Sequence, residues 1–236
     1  MTLLTTVRSA CRRIGLTPPN VVAASTDATA SLLFELAQEE GKALSKYGDW
    51  KILRKEKTFT TVAAETQTDT PIPTDWDAFI DNTFWNRSRR IRLFGPVSPD
   101  DWQRYKAAST FPITNTFTIR GTSWLMQPTP AAGDTIAYEY RSKNWCQSSG
   151  GTAQSAWAAD TDTGILSEDL MAEGIIWRYK QNRGLEWQSF YDKYIYNVDQ
   201  ALAKDKPRKI IDMKNGGPPI RTPGLVVPEG AWGNLS

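Results

Sequence analysis

The sequence predicts an α+β protein with an α-helical bundle core, a β-rich insertion and an extended C-terminal arm. Three observations predict it. Apolar residues recur at three- and four-residue steps in 2–14, 27–47 and 167–203, the period of a one-faced helix. Between 51 and 141 the pattern turns to alternation and β-favouring residues. From 207 onward Pro207, Pro218, Pro219, Pro223 and Pro228 alternate with Gly216, Gly217, Gly224, Gly230 and Gly233, a density that no helix or central strand survives. The division is therefore 1–50 for the first core helices, 51–141 for the insertion, 142–166 for a loop, 167–206 for the last core helices and 207–236 for the arm.

The first helix places Leu3, Leu4, Val7, Cys11 and Ile14 on one face, with Arg8, Arg12 and Arg13 off it. Gly15 fits the position just past its end, and Pro18-Pro19 prevent continuation. Cys11 reads as a small buried apolar residue. Ser25, Thr26 and Asp27 all suit the cap of the second helix, whose stripe is Leu32, Leu33, Leu36, Ala37, Ala43, Leu44 and Tyr47. Gly48 ends it, and Trp50, Ile52 and Leu53 begin an extended stretch.

Within the insertion, residues 57–62 are rich in threonine and read as a strand. Pro71-Ile72-Pro73-Thr74-Asp75-Trp76 reads as a rigid turn leading to Phe79 and Ile80. Ile91 and Leu93 alternate with Arg90 and Arg92 as a half-buried strand. Ser98-Pro99-Asp100-Asp101 is a helix start, with a cap, a proline and two acids, and that helix carries Trp102 and Tyr105 and ends near Ser109. Phe117 and Ile119 form one strand and residues 124–126 the next, with Gly121 marking the hairpin. Pro128-Thr129-Pro130 and Gly133-Asp134 make turns before a last strand through Ile136, Tyr138 and Tyr140.

Residues 142–160 are rich in Ser, Gly and Ala and read as a loop. The helical pair that follows breaks near Gly184. Ser167 suits the first cap, with Glu168 and Asp169 in the positive first turn. Ile175-Ile176-Trp177 is apolar almost all round, so it is covered on more than one side. In the second helix Trp187, Phe190, Tyr191, Tyr194, Ile195, Val198 and Leu202 share a face.

Composition narrows the function. The chain has 236 residues, a formal net charge of +2 and ten tryptophans, which suit permanent contacts rather than bulk attraction to nucleic acid. It has no histidine, which removes Ser-His-Asp and Cys-His nucleophile systems and histidine-ligated metals. Acid–base work would fall to carboxylates, Lys, Tyr or Cys. No apolar run approaches the roughly 18 residues that span a bilayer, and the first residues carry no signal-peptide apolar region. Cys11 and Cys146 make no disulfide framework and fit a reducing compartment.

Three stretches remain as candidates for chemistry. Asp160-Thr161-Asp162-Thr163-Gly164 resembles a metal loop at first, but its glycine is fifth where a calcium EF-hand needs it sixth, and the twelfth residue is Met171 rather than Glu. It reads as a turn feeding the next helix, and neither a metal nor a cofactor is expected. Arg87, Arg89, Arg90 and Arg92 form the densest basic run, with Phe84, Trp85 and Phe94 nearby, and suit a contact with DNA phosphates or with a neighbouring subunit. The arm carries Ile210, Ile211, Met213, Ile220, Leu225, Val226, Val227, Trp232 and Leu235 on a stretch that cannot build its own core, a pattern suited to docking on a partner.

These pieces in order resemble the head-to-tail adaptor (connector) proteins of tailed bacteriophages, the head-completion type of short-tailed phages. The resemblance runs over roughly 2–205. It is carried by the first helix ending Arg13-Ile14-Gly15, the acid-containing second helix with Trp50 after it, Pro71-Ile72-Pro73-Thr74-Asp75-Trp76, and Gly95-Pro96-Val97-Ser98 followed by Trp102. Ile119, Trp124, Leu125 and Pro128 continue it, then Tyr138-Glu139-Tyr140-Arg141-Ser142-Lys143. Asp160-Thr161-Asp162 through Ile165-Leu166-Ser167-Glu168-Asp169-Leu170, with Trp177 and Lys180, completes the series. The chain has Ile72 where the family tends to have Leu, and Trp76 where it has Phe.

The resemblance implies a non-enzymatic structural protein. It implies a homo-oligomeric ring, usually a dodecamer, beneath the portal protein, with a C-terminal arm that climbs the portal. Ile210, Ile211, Met213, Ile220, Leu225, Val226, Val227 and Trp232 would then be the portal-binding residues. It further implies a DNA channel passed by double-stranded DNA, a tail or nozzle protein docked below, and a place at the head–tail junction of the virion after assembly in the host cytoplasm. Two readings from the residues stand beside it: a carboxylate-based enzyme using Asp160, Asp162 or Glu168, and a nucleic-acid-binding module built on the 87–92 run.

Overall fold

The computed structural model describes residues 2–107 and 115–205, and these divide into two compact units, 2–54 with 141–205 and 55–140. In chain order the elements begin with helices α1 (Leu3–Ile14) and α2 (Ala28–Tyr47) and a 3₁₀ turn, Lys51–Leu53. Strands β1 (Arg54–Thr60), β2 (Thr66–Gln67), β3 (Trp76–Phe79), β4 (Trp85–Asn86) and β5 (Ile91–Arg92) follow, then helix α3 (Pro99–Ala107). Strands β6 (Thr116–Arg120), β7 (Ser123–Gln127) and β8 (Thr135–Ser142) complete the insertion. Three two-residue strands, β9 (Cys146–Gln147), β10 (Ala153–Gln154) and β11 (Thr163–Gly164), precede helices α4 (Glu168–Asn182) and α5 (Gln188–Asp205). The protein is thus mixed α+β.

In the first unit, α1 starts where Thr2 accepts the Thr5 amide and the Thr5 hydroxyl oxygen accepts the Thr2 amide at 2.8 Å, a reciprocal cap with threonine in place of the usual Glu. It ends at Gly15, whose φ of 77° lets Leu16 N–H reach back to the Cys11 carbonyl at 2.9 Å. Of the three candidate caps of α2, Asp27 is the one used, its carboxylate accepting the Ala30 amide at 2.9 Å. Ser167 stands before α4, but its side chain makes no capping bond. The α1, α2, α4 and α5 helices share one core, in which Leu3, Val7, Leu33, Leu44, Ile175, Ile176, Trp177 and Val198 are buried. The α4 segment Ile175-Ile176-Trp177 is buried on all sides, as its unbroken apolar run requires. The α5 stripe is unequal: Tyr194 and Val198 are buried, Trp187, Tyr191, Ile195 and Leu202 are partly so, and Phe190 is exposed under the Lys180 ammonium, 3.6 Å from its ring centroid.

Two expectations are corrected in this unit. Trp50, Ile52 and Leu53 do not begin a strand, because Lys51–Leu53 coils into a 3₁₀ turn. The Asp205 carboxylate at the end of α5 accepts the Lys51 amide at 2.6 Å and caps that turn, while the Trp50 indole N–H donates to the Leu44 carbonyl at 2.8 Å. Residues 142–166 are not a plain loop either. They hold the three-stranded antiparallel sheet β10-β9-β11 and bury Trp145 and Trp157, whose rings meet edge to face at 5.1 Å.

In the second unit, β1, β8, β4 and β5 form one sheet in that order, with β3 also on β8, and β2, β7 and β6 form another. The β6–β7 hairpin turns at Gly121 and pairs Phe117 with Met126 and Ile119 with Trp124. Aromatic rings fill the core: Phe117 stacks on Trp124 at 4.3 Å and 9°, and Trp124 on Tyr138 at 5.2 Å. Ser98 caps α3 through the Asp101 amide at 3.1 Å, and Trp102 on that helix is fully buried. The helix is described as far as Ala107, so the expected end near Ser109 lies outside the described residues. The strand expected over 90–93 shrinks to Ile91–Arg92, because Arg90 adopts φ 59°, a left-handed turn rather than an extended residue.

Candidate functional site

The basic run 87–92 sits around the β4–β5 turn of the second unit, and the structure divides its four arginines. Arg87 pairs with Glu56 at 2.8 Å and Arg89 with Asp134 at 2.6 Å. The Asp134 carboxylate also accepts from the Asn86 amide group at 2.9 Å, which fixes the turn. Arg92 donates to the Asn82 side-chain oxygen and lies 5.4 Å from the Phe94 ring centroid. Arg90 is exposed and has no ion-pair partner among the described residues. Arg87 and Arg90 line a pocket of about 460 Å³ together with Glu56, Asn82, Trp85 and Glu139. The run is therefore a site of mixed charge rather than a row of four free cations.

The other sequence candidate, the arm with Ile210, Ile211, Met213, Ile220, Leu225, Val226, Val227 and Trp232, lies outside the described residues.

The Asp160-Thr161-Asp162 stretch works as a backbone clasp. The Asp160 carboxylate accepts the Val22 and Ala23 amides, at 3.1 and 2.8 Å. The buried Asp162 carboxylate accepts the Ala158 and Ala159 amides at 2.8 and 2.9 Å. The backbone carbonyls of Asp160 and Asp162 accept the Leu4 and Leu3 amides, two of the otherwise unpaired donors in the first turn of α1. Both carboxylates are thereby committed to amides, and the turn that the spacing suggested proves to be the tie between the small sheet and α1. Glu168 lies elsewhere, lining a pocket with Asp169 and Arg12 between α4 and α1. Among the described residues no group of three or more Cys, Asp or Glu side chains is arranged to hold a metal ion.

One buried polar cluster escaped the sequence reading. Glu40 of α2 is fully buried, accepting from the Tyr194 hydroxyl at 2.5 Å and from Arg178 Nε at 2.8 Å. Arg178 lies over the Trp177 ring, its guanidinium carbon 4.5 Å from the ring centroid. Burial raises the Glu40 carboxyl above its usual range, and the hydrogen bonds from Tyr194 and Arg178 pull the other way. Burial, then the Glu40 charge, raises the Tyr194 phenol. The signal was present: Glu40 falls between Leu36 and Leu44 in the apolar stripe of α2 at four-residue steps, where a lone solvated acid has no place. The arrangement cross-links α2, α4 and α5.

Neither cysteine is poised for chemistry. Burial raises the Cys11 thiol, and burial plus the Asp162 carboxylate pushes Cys146 up to about 12. No described helix is long and apolar enough to cross a membrane.

The sites are structural clasps, one mixed-charge pocket and a basic turn, and the order of elements follows a known pattern. The sequence pattern of the SU10 adaptor protein family matches residues 1–210. The chain belongs to that family. Its members are phage head-to-tail adaptors, so the adaptor resemblance of the sequence and the family match agree. The family match covers the insertion, both helical segments and the first residues of the arm. No curated protein matches the chain.

Proposed function

We propose that the protein is a structural head-to-tail adaptor that forms a ring of twelve copies beneath the portal, extends the DNA channel and gives the tail or nozzle protein its docking platform. The match of the adaptor family over residues 1–210 is the observation that carries this reading. A near-neutral formal charge of +2 supports it, because a conduit should let DNA slide rather than hold it. The commitment of Asp160 and Asp162 to backbone amides also favours a structural role over a carboxylate enzyme. A ring of identical subunits needs two different complementary faces on each chain; eight of the nine described tryptophans are buried in or packed on the chain's own cores and are spent there.

In this reading 207–236 is the portal-binding arm, and Ile210, Ile211, Met213, Ile220, Leu225, Val226, Val227 and Trp232 are its anchors. The pattern of large apolar residues between prolines and glycines supports it, since such a chain gains burial only by folding onto another surface. The turn carrying Arg87, Arg89, Arg90 and Arg92 meets either the passing DNA or a neighbouring subunit. The protein works at the head–tail junction of the virion, after assembly in the host cytoplasm. Co-sedimentation with the portal of the same genome tests the arm: the full chain should pellet with the portal, and a chain stopped at Lys206 should pellet weakly. Equal binding by both places the affinity in the folded units instead.

A further inference from the structure

The outer face of α2 carries its charges in two blocks. Glu35, Glu39, Lys42 and Lys46 follow one another at steps of three and four residues and form a single exposed stripe. Acids fill its first half and bases its second. Glu35 with Glu39, and Lys42 with Lys46, are like-charged pairs four residues apart, which an isolated helix disfavours. Among the described residues Glu35, Lys42 and Lys46 form no ion pair, and Glu39 has only Arg178, at 3.8 Å. The stripe gains little within its own chain.

A second face shows the opposite order. Thr5, Thr6, Ser9 and Ala172 line a pocket of about 310 Å³ between α1 and α4, with Arg12 and Asp169 on it and Glu168 beside Asp169. Arg12 and Asp169 are exposed and form no ion pair among the described residues. The levels of both faces can be counted along α4. The α1 helix runs in the direction of α4, from the bridge between Thr2 and Thr163 to the ion pair of Arg13 with Glu173. Asp169 therefore comes first and Arg12 follows. The α2 helix runs the other way: Glu40 meets Gly174 and Arg178, and Glu35 and Glu39 share a pocket with Gln181 and Asn182 near the end of α4. Lys42 and Lys46 thus lie level with the first half of α4. From the start of α4 upward, one face offers an acid and then a base, and the other offers bases and then acids.

We infer that the α2 stripe of one copy packs against the α1–α4 face of the next copy in the ring, about an axis that runs along the helices. Lys42 and Lys46 meet Asp169, and Glu35 and Glu39 meet Arg12. This assignment rests on the ring reading above and names the two different faces that such a ring requires. Rotation about an axis along the helices keeps each group at its own level, so opposite charges face one another at both levels of the contact. A slipped neighbour would set like charges together, which is how charge order fixes register. An α2 stripe laid antiparallel on another α2 would also match its charges, but that contact uses one patch twice and stops at a dimer. The small side chains of Thr5, Thr6, Ser9 and Ala172 leave a groove between α1 and α4, into which the ridge of a third helix can settle.

The test mixes isotope-labelled and unlabelled full chain, with and without the portal of the same genome, and treats it with a carbodiimide, which joins an amine to a carboxylate in contact with it. Peptides linking Lys42 or Lys46 to Asp169, with one member of each isotope, should be recovered. Charge reversal is the second arm. Lys46→Glu and Asp169→Lys should each raise the concentration of chain needed for assembly by about tenfold or more, since each sets like charges together. An equal mixture of the two variants should assemble again, because each then offers the other an opposite charge at both contacts. That rescue also shows that both variants are folded. The assignment is overturned if the chain stays single under every condition, or if copies associate without the mixed-isotope link to Asp169. It is equally overturned if both variants assemble as wild type does, if the mixture does no better than either variant alone, or if the links join Glu39 to Lys42 of another copy, which would lay α2 on itself. Portal co-sedimentation judges the adaptor reading separately. A chain that pellets with the portal but gives no link to Asp169 keeps the adaptor role and loses this contact. A chain that gives the link and the rescue but leaves the portal bare keeps the contact and loses the adaptor role.

Discussion

Gly174 of α4 lies so close to Glu40 of α2 that a Cβ built on the glycine would stand 2.0 Å from the Glu40 carboxyl carbon and 2.3 Å from Oε1. The missing side chain is the space in which the buried carboxylate meets Arg178 and Tyr194. Helix stability is given up at Gly174, by about 1 kcal/mol relative to alanine in an exposed helix, so that α2 and α4 can approach with a charge between them.

Gly174→Ala should therefore destabilise the protein despite its better helix propensity. Over-packing a filled core costs about 1–3 kcal/mol, and here the displaced atoms belong to a hydrogen-bonded carboxylate. Urea denaturation followed by circular dichroism would measure it. A gain in stability would mean that the helices do not meet as described.

Removing Arg178 should cost more than removing Glu40. Arg178→Ala leaves the Glu40 carboxyl at 0% exposure with only Tyr194 as partner, and breaking a buried pair by removing one member costs about 3–5 kcal/mol. Glu40→Gln leaves a neutral amide that can still accept from Tyr194, and frees Arg178 to turn toward Glu39, 3.8 Å away. The same denaturation series should rank Arg178→Ala below Glu40→Gln. The reverse order would show that the arginine, not the acid, is the costly buried group.

These helices were largely legible in the sequence, and the reasons for what was not are physical. The stripes of α1, α2 and α5 and the cap-proline-acid start of α3 are local signals, each decided within one turn of chain. The 3₁₀ turn at Lys51–Leu53 is decided by Asp205, more than 150 positions away, and no local pattern announces that bond. The strands β9, β10 and β11 are two residues each, too short for alternation to register among Ser and Gly. At the site, the arginines were visible as a cluster, but their pairing with Glu56 and Asp134 comes from β1 and the turn just before β8, so the free cation could be told from the satisfied ones only in the folded unit.

Asp162→Ala should lower stability by about 3 kcal/mol or more, since a buried carboxylate accepting two amides is lost and hydrogen bonds to charged groups contribute about 1.5–3 kcal/mol each. Thermal melts of wild type with and without a chelator should coincide. A chelator-induced drop in the melting temperature would instead make the 160–164 stretch a metal loop.

The Cys146 thiol predicts an alkaline limb in stability. Its folded pKa, pushed up to about 12 from an ordinary 9.0, exceeds the unfolded one, so the unfolded chain releases the proton first. The contribution is fully present below about pH 9 and is lost as the pH rises from 9 toward 12, by at most about 1.4 kcal/mol per pH unit. Cys146→Ala should show a shallower fall over that window than wild type, and native wild type at pH 8 should resist thiol reagents until unfolded. Rapid labelling of the native protein at both Cys11 and Cys146 would contradict the buried placement.

Electron microscopy of the full chain mixed with the portal ring of the same genome tests the adaptor role most directly. A second ring should appear on one face of the portal, coaxial with it and sharing its rotational symmetry, with the channel open through both. Isolated adaptor chains scattered over the portal, or portals bare of any added density at saturating adaptor, would contradict it.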